Sequence, residues 1–184
     1  MKTKFNEKWL LDESPCSDGL VFARSCNFDF AKIYDTCERG DWLIWLLRRT
    51  KNLSKPQSVK IAITCAEHVI SIYEKKYPNN KAPRNAINAA KKWLKEPSEE
   101  NRKAAYAAAD AAYAAAYAAA DATDAAAYAD AYAAAYAAAY AAADATDAAA
   151  YADAYAAADA AARLSERKWQ ANQIRKIVPN PFTN

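Results

Sequence analysis

SVKIAITCAEHVISIYEKKY, residues 58–77, carries apolar side chains at helical spacing around nearly all of its circumference, with charge gathered at the ends. That is the pattern of a helix buried on most sides. Ser54 and Pro56 open the segment and Tyr77-Pro78-Asn79-Asn80 closes it, since proline suits a first helical turn and interrupts later ones. The pattern predicts a central helix near Ser58–Lys75 that contacts both halves of the chain. Its surroundings carry the same preference. The 184 residues hold two glycines and seven prolines, and tight hairpins need the positive-φ positions that glycine supplies. The fold class expected is therefore all-α, a single-domain multi-helix bundle.

Upstream, residues 1–53 read as several short helices. Asp29 precedes FAKIYDTCE, and Asp41 precedes WLIWLLRR, each placed as an N-cap. Downstream, RNAINAAKKWLKE after Pro83 forms a short amphipathic helix, and Pro97-Ser98 with Glu99 and Glu100 marks a fresh start.

From Ala104 to Ala162 the chain is almost entirely Ala, Tyr and Asp. Alanine is the strongest helix former, so the tract is helical rather than disordered. YAAADATDAAAYADAYAAA occurs at Tyr117–Ala135 and again, letter for letter, at Tyr140–Ala158, a period of 23 residues. On one straight helix that period leaves successive copies about 140° out of phase, and the whole tract would be about 90 Å long. A globule of this size has a radius of gyration of about 16 Å. The mismatch favours successive long antiparallel helices that break at the two DATD segments, Asp121–Asp124 and Asp144–Asp147, where Asp at the N-cap and at N3 resembles a capping box. An unbroken helix with tyrosines winding round it as a right-handed stripe stays open as the alternative. The organisation expected is one helical domain, 1–184. It has a basic short-helix half at 1–103 and a repeat half at 104–184, with repeat units 117–139 and 140–162.

Charge divides along the same line. Residues 1–103 hold twenty basic and thirteen acidic side chains, a net of +7, whereas residues 104–162 carry −8 and residues 163–184 carry +4. The halves neutralise one another within a fold, or they present a two-signed surface that steers a partner. The N-terminus lacks the apolar run and cleavage site of a secretory signal, and aspartates interrupt every long apolar stretch, so a cytoplasmic protein with no membrane partner is expected. Cys16, Cys26, Cys37 and Cys65 have no metal-ligand spacing and read as small buried apolar residues.

The chemical inventory points away from an enzyme. His68 is the one histidine, set inside an apolar helix as a core or helix-side residue, and no phosphate loop, dinucleotide fingerprint or nucleophile elbow is present. No cofactor or metal is expected, because the paired DATD carboxylates supply too few oxygens for a hard cation and capping explains them. Asp130 and Asp153 read as solvated. The tyrosines are core, or, turned outward at Tyr106, Tyr113, Tyr117, Tyr128 and Tyr132, a rigid aromatic surface of the kind interfaces favour. Trp42 and Trp45 share a helix face and read as core, with Arg48 and Arg49 closing that helix at its negative end. Read functionally, Arg39, Arg48 and Arg49 form an anion or acidic-partner site. The candidate binding set is Arg39, Trp42, Arg48, Arg49, Tyr117, Tyr128 and Tyr132, at a junction between the basic helix and the tyrosine face.

The order SPCSDGLVFA, DTCERGDWLIWLLRR, CAEHVI, PRNAINAAKKWL, an Ala/Tyr/Asp tract and a closing IRKIVPNPF resembles the alanine-rich, all-helical immunity proteins of bacterial polymorphic toxin systems, which have phage-encoded relatives. ERGDWLIWLL and NPF are its motif-like parts. The resemblance implies a protein that binds and neutralises a toxin or effector through a protein–protein interface. The alternative is a phage-encoded anti-defence protein that inhibits a host defence protein or sequesters a phosphate-bearing nucleotide signal. An ice-binding or purely structural helix would have no use for the tryptophan-rich basic half. No DNA partner is expected.

Overall fold

The computed structural model describes residues 5–108 and 160–183. All regular structure among the described residues is helical, as the glycine-poor sequence requires. In chain order the helices are α1 (Glu7–Asp12), α2 (Ser17–Ser25), α3 (Phe30–Thr36), α4 (Gly40–Arg49), α5 (Lys55–Lys76), α6 (Ala82–Lys95), α7 (residues 99–108) and α8 (Ala160–Ile177). The two DATD segments, the expected breaks at them, and Asp130 and Asp153 lie outside the described residues.

The longest described helix, α5, starts on a reciprocal cap. The Ser54 hydroxyl accepts from the Gln57 N–H, and the Ser54 N–H donates to Gln57 Oε1 at 3.0 Å, so two of the helix's orphan donors are satisfied at once. Its two sides bury different partners. Val59, Ala62, Ile63, Ala66 and Ile70, at i, i+3 and i+4 spacing, form one core with Ala86, Ile87, Ala90 and Trp93 of α6 and Ala105 of α7. Ile61 and Cys65 turn to a second core, which holds Leu43, Ile44 and Leu47 of α4 and Ala171 and Ile174 of α8. The helix is therefore sandwiched between α6 and α8, and the chain's last helix is joined to its first half. His68 is exposed on α5 and stacks on Trp169 of α8 with ring centroids 3.8 Å apart.

Across α5 and α6, Arg84 grips Glu74 with two hydrogen bonds, Nε to Oε1 at 2.8 Å and Nη2 to Oε2 at 2.7 Å. Those bonds hold the Glu74 carboxyl below its ordinary value of 4.5. A carboxylate with a depressed folded pKa contributes stability above its unfolded pKa and loses it as pH falls through the folded one. Glu74→Gln should cost under about 1 kcal/mol at neutral pH, because the pair is about a third exposed. Urea denaturation of variant and wild type should converge on the acid side of 4.5, and a gap that persists there would show that the pair is not the cause.

The α4–α8 contact depends on Gly40. A Cβ there would lie 2.8 Å from Gln170 Cβ and 3.3 Å from the backbone nitrogen of Ala171, and neither atom is the free end of a flexible side chain. Gly40→Ala gains up to about 1 kcal/mol of helix propensity but overpacks the contact by about 1–3 kcal/mol. Net destabilisation is expected, read as a lower midpoint in thermal melting; an unchanged or higher midpoint would place α8 further away. The same start corrects the expectation for Asp41. The helix begins two residues earlier, Arg39 is its N-cap without a side-chain cap bond, and Asp41 lies in the first turn, where Arg39 engages its carboxylate.

A third core joins the short helices: Leu10, Ala23, Cys26, Phe30, Ile33 and Leu46 are buried together. The chain's closing segment is pinned to this layer. Tyr34 donates its hydroxyl to the Val178 carbonyl at 2.7 Å, and burial pushes its phenol up to about 12, so it remains a donor. Arg175 donates to the carbonyls of Tyr34 and Cys37, satisfying acceptors at the end of α3 that the helix itself cannot. Asn180 donates to Ala31 O and Asp35 Oδ1, and Phe182 stands between the rings of Phe5, Phe30 and Tyr34.

The expectation of four buried cysteines holds for Cys26 and Cys37 but not for Cys65, which is half-buried, or Cys16, which is exposed. Cys16 is the N-cap of α2, its sulfur accepting from the Gly19 N–H. A side chain spent on capping stays at the surface.

Candidate functional site

Short helices can hold a concavity only where the turns between them are tight. Asn27 and Phe28, at φ of 54° each, reverse the chain between α2 and α3, and Ser14, at 55°, turns it between α1 and α2. Three helices are thereby folded against α4. Between them lies a cleft of about 520 Å³, within the size range of ligand pockets. Leu10, Ala23, Phe30, Ile33 and Leu46 are among the buried residues of its lining. Half-buried Phe22, Trp42 and Trp45 form the accessible apolar part, and Arg39, Asp41, Arg48, Arg167 and exposed Cys16 supply the polar groups.

Arg39, Trp42, Trp45 and Arg48 recur every third residue along α4 and its cap, so each neighbours the next while the row drifts about 180° round the helix from end to end, and all four line the cleft. The Arg39 guanidinium is fixed twice. It donates to both carboxylate oxygens of Asp41, with Nε to Oδ1 at 2.8 Å, and its Cζ lies 4.6 Å from the centroid of the Trp42 ring. Such a fork is already oriented before any ligand arrives. Phe22 stands against the same indole, with centroids 5.9 Å apart.

Three of the sequence-predicted residues, Arg39, Trp42 and Arg48, thus meet in one cleft. Arg49 does not join them: one residue on, about 100° further round the helix, it pairs with Glu13 at 3.1 Å and lies over Trp45, its side chain 53% exposed. Tyr117, Tyr128 and Tyr132 lie outside the described residues. Tyr106, on α7, is half-buried beneath the Arg102 guanidinium. Trp42 and Trp45 are half-buried: each packs against a core, as the core reading expects, and each also lines the cleft. Arg167, Phe22 and Cys16 were missed. RLSERKW, the first charged run after the Ala/Tyr/Asp tract, was the available signal for Arg167.

Two thiols line the cleft, exposed Cys16 and buried Cys37, and burial pushes the Cys37 thiol up to about 11, so it stays protonated. Among the described residues, no group of three or more His, Cys, Asp or Glu side chains could hold a metal ion, and no described helix is long and apolar enough to cross a membrane. The cleft joins an apolar concavity to the Arg39 guanidinium, held by Asp41 and Trp42, and Arg48 and Arg167 also line it.

The chain belongs to the Imm-5 like putative immunity protein family, which matches residues 48–177. No curated protein and no solved structure matches it. The family match takes in α5 to α8 and the end of α4. Apart from Arg48 and Arg167, the residues that line the cleft precede it.

Proposed function

We propose that the chain is an immunity protein of a polymorphic toxin system, which binds a toxin or other effector and blocks it through a protein interface that includes the cleft. The observation that carries the reading is the Arg39 fork, held by Asp41 and laid over Trp42, in an apolar cleft that Arg48 also lines. Tryptophan and arginine dominate the binding energy of protein interfaces, and the family membership points the same way. Co-expression with a toxic domain taken from the neighbouring genes should restore growth to cells that this domain alone kills. Failure to restore growth, with both proteins soluble, would sink the reading. The Arg39–Trp42 pair also gives the nucleotide-sequestering alternative a physical basis, since a phosphate and a base suit an arginine and an indole. That alternative requires nucleotide to appear when purified protein is heat-denatured.

A further inference from the structure

We propose that Arg175 of α8 is a positioning residue of the cleft, fixing the turn from which Arg39 reaches Trp42. The inference rests on the reading that the cleft belongs to the interface. The turn is residues 37–39, which separate α3 from α4. Its internal hydrogen bonds run through sulfur: the Arg39 N–H donates to Cys37 Sγ at 3.4 Å, and the Cys37 thiol donates to the Arg39 carbonyl at 3.5 Å. Sulfur is a weak partner in either role. Stronger contacts reach the turn from α8. Arg175 donates through Nε to the Tyr34 carbonyl at 2.9 Å and through Nη2 to the Cys37 carbonyl, while Asn172 Oδ1 accepts from its Nη1 at 3.4 Å. One planar fork thus spans the last turn of α3 and the first residue of the connection. A lysine, with one ammonium on a flexible stem, cannot hold both acceptors at a set angle. Two further contacts bear on the same stretch. Lys168 pairs with Glu38 at 2.6 Å, and Gly40 lies so close to Gln170 and Ala171 that a Cβ would not fit. The Lys168–Glu38 pair is exposed and adds little, so the Arg175 fork and the Gly40 contact set where α4 starts. Arg39 lies between them. Its guanidinium meets Asp41 and lies over Trp42 from the backbone position that these contacts from α8 supply.

The Arg39 Nε–H group reports on this without an effector. In nitrogen-15-labelled full-length protein its signal, assigned by its loss in Arg39→Lys, should show a high order parameter, like that of Arg84 Nε, which Glu74 holds at 2.8 Å. In folded Arg175→Met the Arg39 value should fall below about 0.6, the range of flexible groups, and the signal should shift, with Arg84 and Arg49 unchanged. Arg49 is on the same helix and pairs with Glu13, so a general loosening of α4 would move it too. Arg175→Lys should fall between wild type and Arg175→Met. Should Arg175→Met fail to fold, Arg175→Lys, which keeps a cation at the end of α3, gives the same comparison. Cys37→Ala, which leaves Arg175 in place, should give a smaller loss in the same direction. The proposal is overturned if Arg39 Nε keeps its wild-type order parameter in the folded variants, or if Arg49 Nε loosens as much as Arg39 Nε. With the toxic domain of the growth assay as probe, Arg175→Met should weaken binding about threefold to tenfold, and combined with Arg39→Met it should weaken binding no further than Arg39→Met does alone. Losses that add would show that Arg175 acts apart from Arg39, and would also overturn the proposal. The order parameters do not depend on growth rescue, so the positioning of Arg39 and the immunity reading can fail separately.

Discussion

Truncating Leu43 to Ala should lower the free energy of unfolding by about 3–5 kcal/mol, the upper part of the range for buried leucine. Leu43 is fully buried, in a core to which α3 contributes Tyr34, α5 contributes Ile61 and α8 contributes Ile174. Four helices meet there, and such a site relaxes little when methylenes are removed, so the cavity cost adds to the lost transfer free energy. Much of a small domain's stability, about 5–15 kcal/mol, is then at stake. The measurement is urea denaturation followed by circular dichroism, with Val21→Ala as the control. Val21 is 65% exposed on α2, and its loss should stay within about 0.5 kcal/mol. A Leu43→Ala cost below about 1 kcal/mol would mean that α4 and α8 do not share a close-packed core.

That core shows how far local signals reach. Ser54 with Pro56 and Asp29 with Lys32 are caps written within four residues of sequence, and the structure forms both. Asp41 carries an equally good local signal, yet the helix starts at Gly40. What decides there is a contact with Gln170 and Ala171, some 130 positions further on, together with an arginine that claims the carboxylate. Tertiary contacts overrule local capping preference where the backbones approach closely. The site divides the same way. Arg39, Trp42 and Arg48 were legible because one helix carries them at regular spacing, but the neighbouring Arg49 could be separated from them only by knowing which face of α4 is covered. Arg167 and Phe22 reach the cleft from other helices, and no period in the sequence links them to α4. NPF stood out as a motif without a reason. Its Asn180 and Phe182 close the short-helix layer, so at those two residues the motif is an anchor of the fold.

Under the proposed immunity function, Trp42→Ala should weaken effector binding by at least about 2 kcal/mol, roughly thirtyfold, the threshold for an interface hot spot. Trp42 supplies the accessible aromatic wall of the cleft and the surface over which Arg39 lies. Its loss therefore removes contact area and releases the guanidinium from one of its two restraints. Cation–π contact contributes about 0.5–1 kcal/mol at exposed sites, so most of the effect comes from the buried indole and the water its absence admits. Arg49→Ala is the comparison. That side chain is half-exposed, already paired with Glu13 and outside the cleft, and its removal should change affinity by under about 0.5 kcal/mol. Trp42 also packs against the core of α4 and α8, so the variant's far-ultraviolet dichroism and melting must first show that it is folded. Trp42→Phe keeps a ring beside Phe22 and separates packing from recognition, and it should fall between wild type and Ala. Calorimetric titration of the effector into each variant gives the comparison. A folded Trp42→Ala protein that binds with wild-type affinity would remove the cleft from the interface, and an Arg49→Ala protein that loses affinity would move the interface to the outer face of α4.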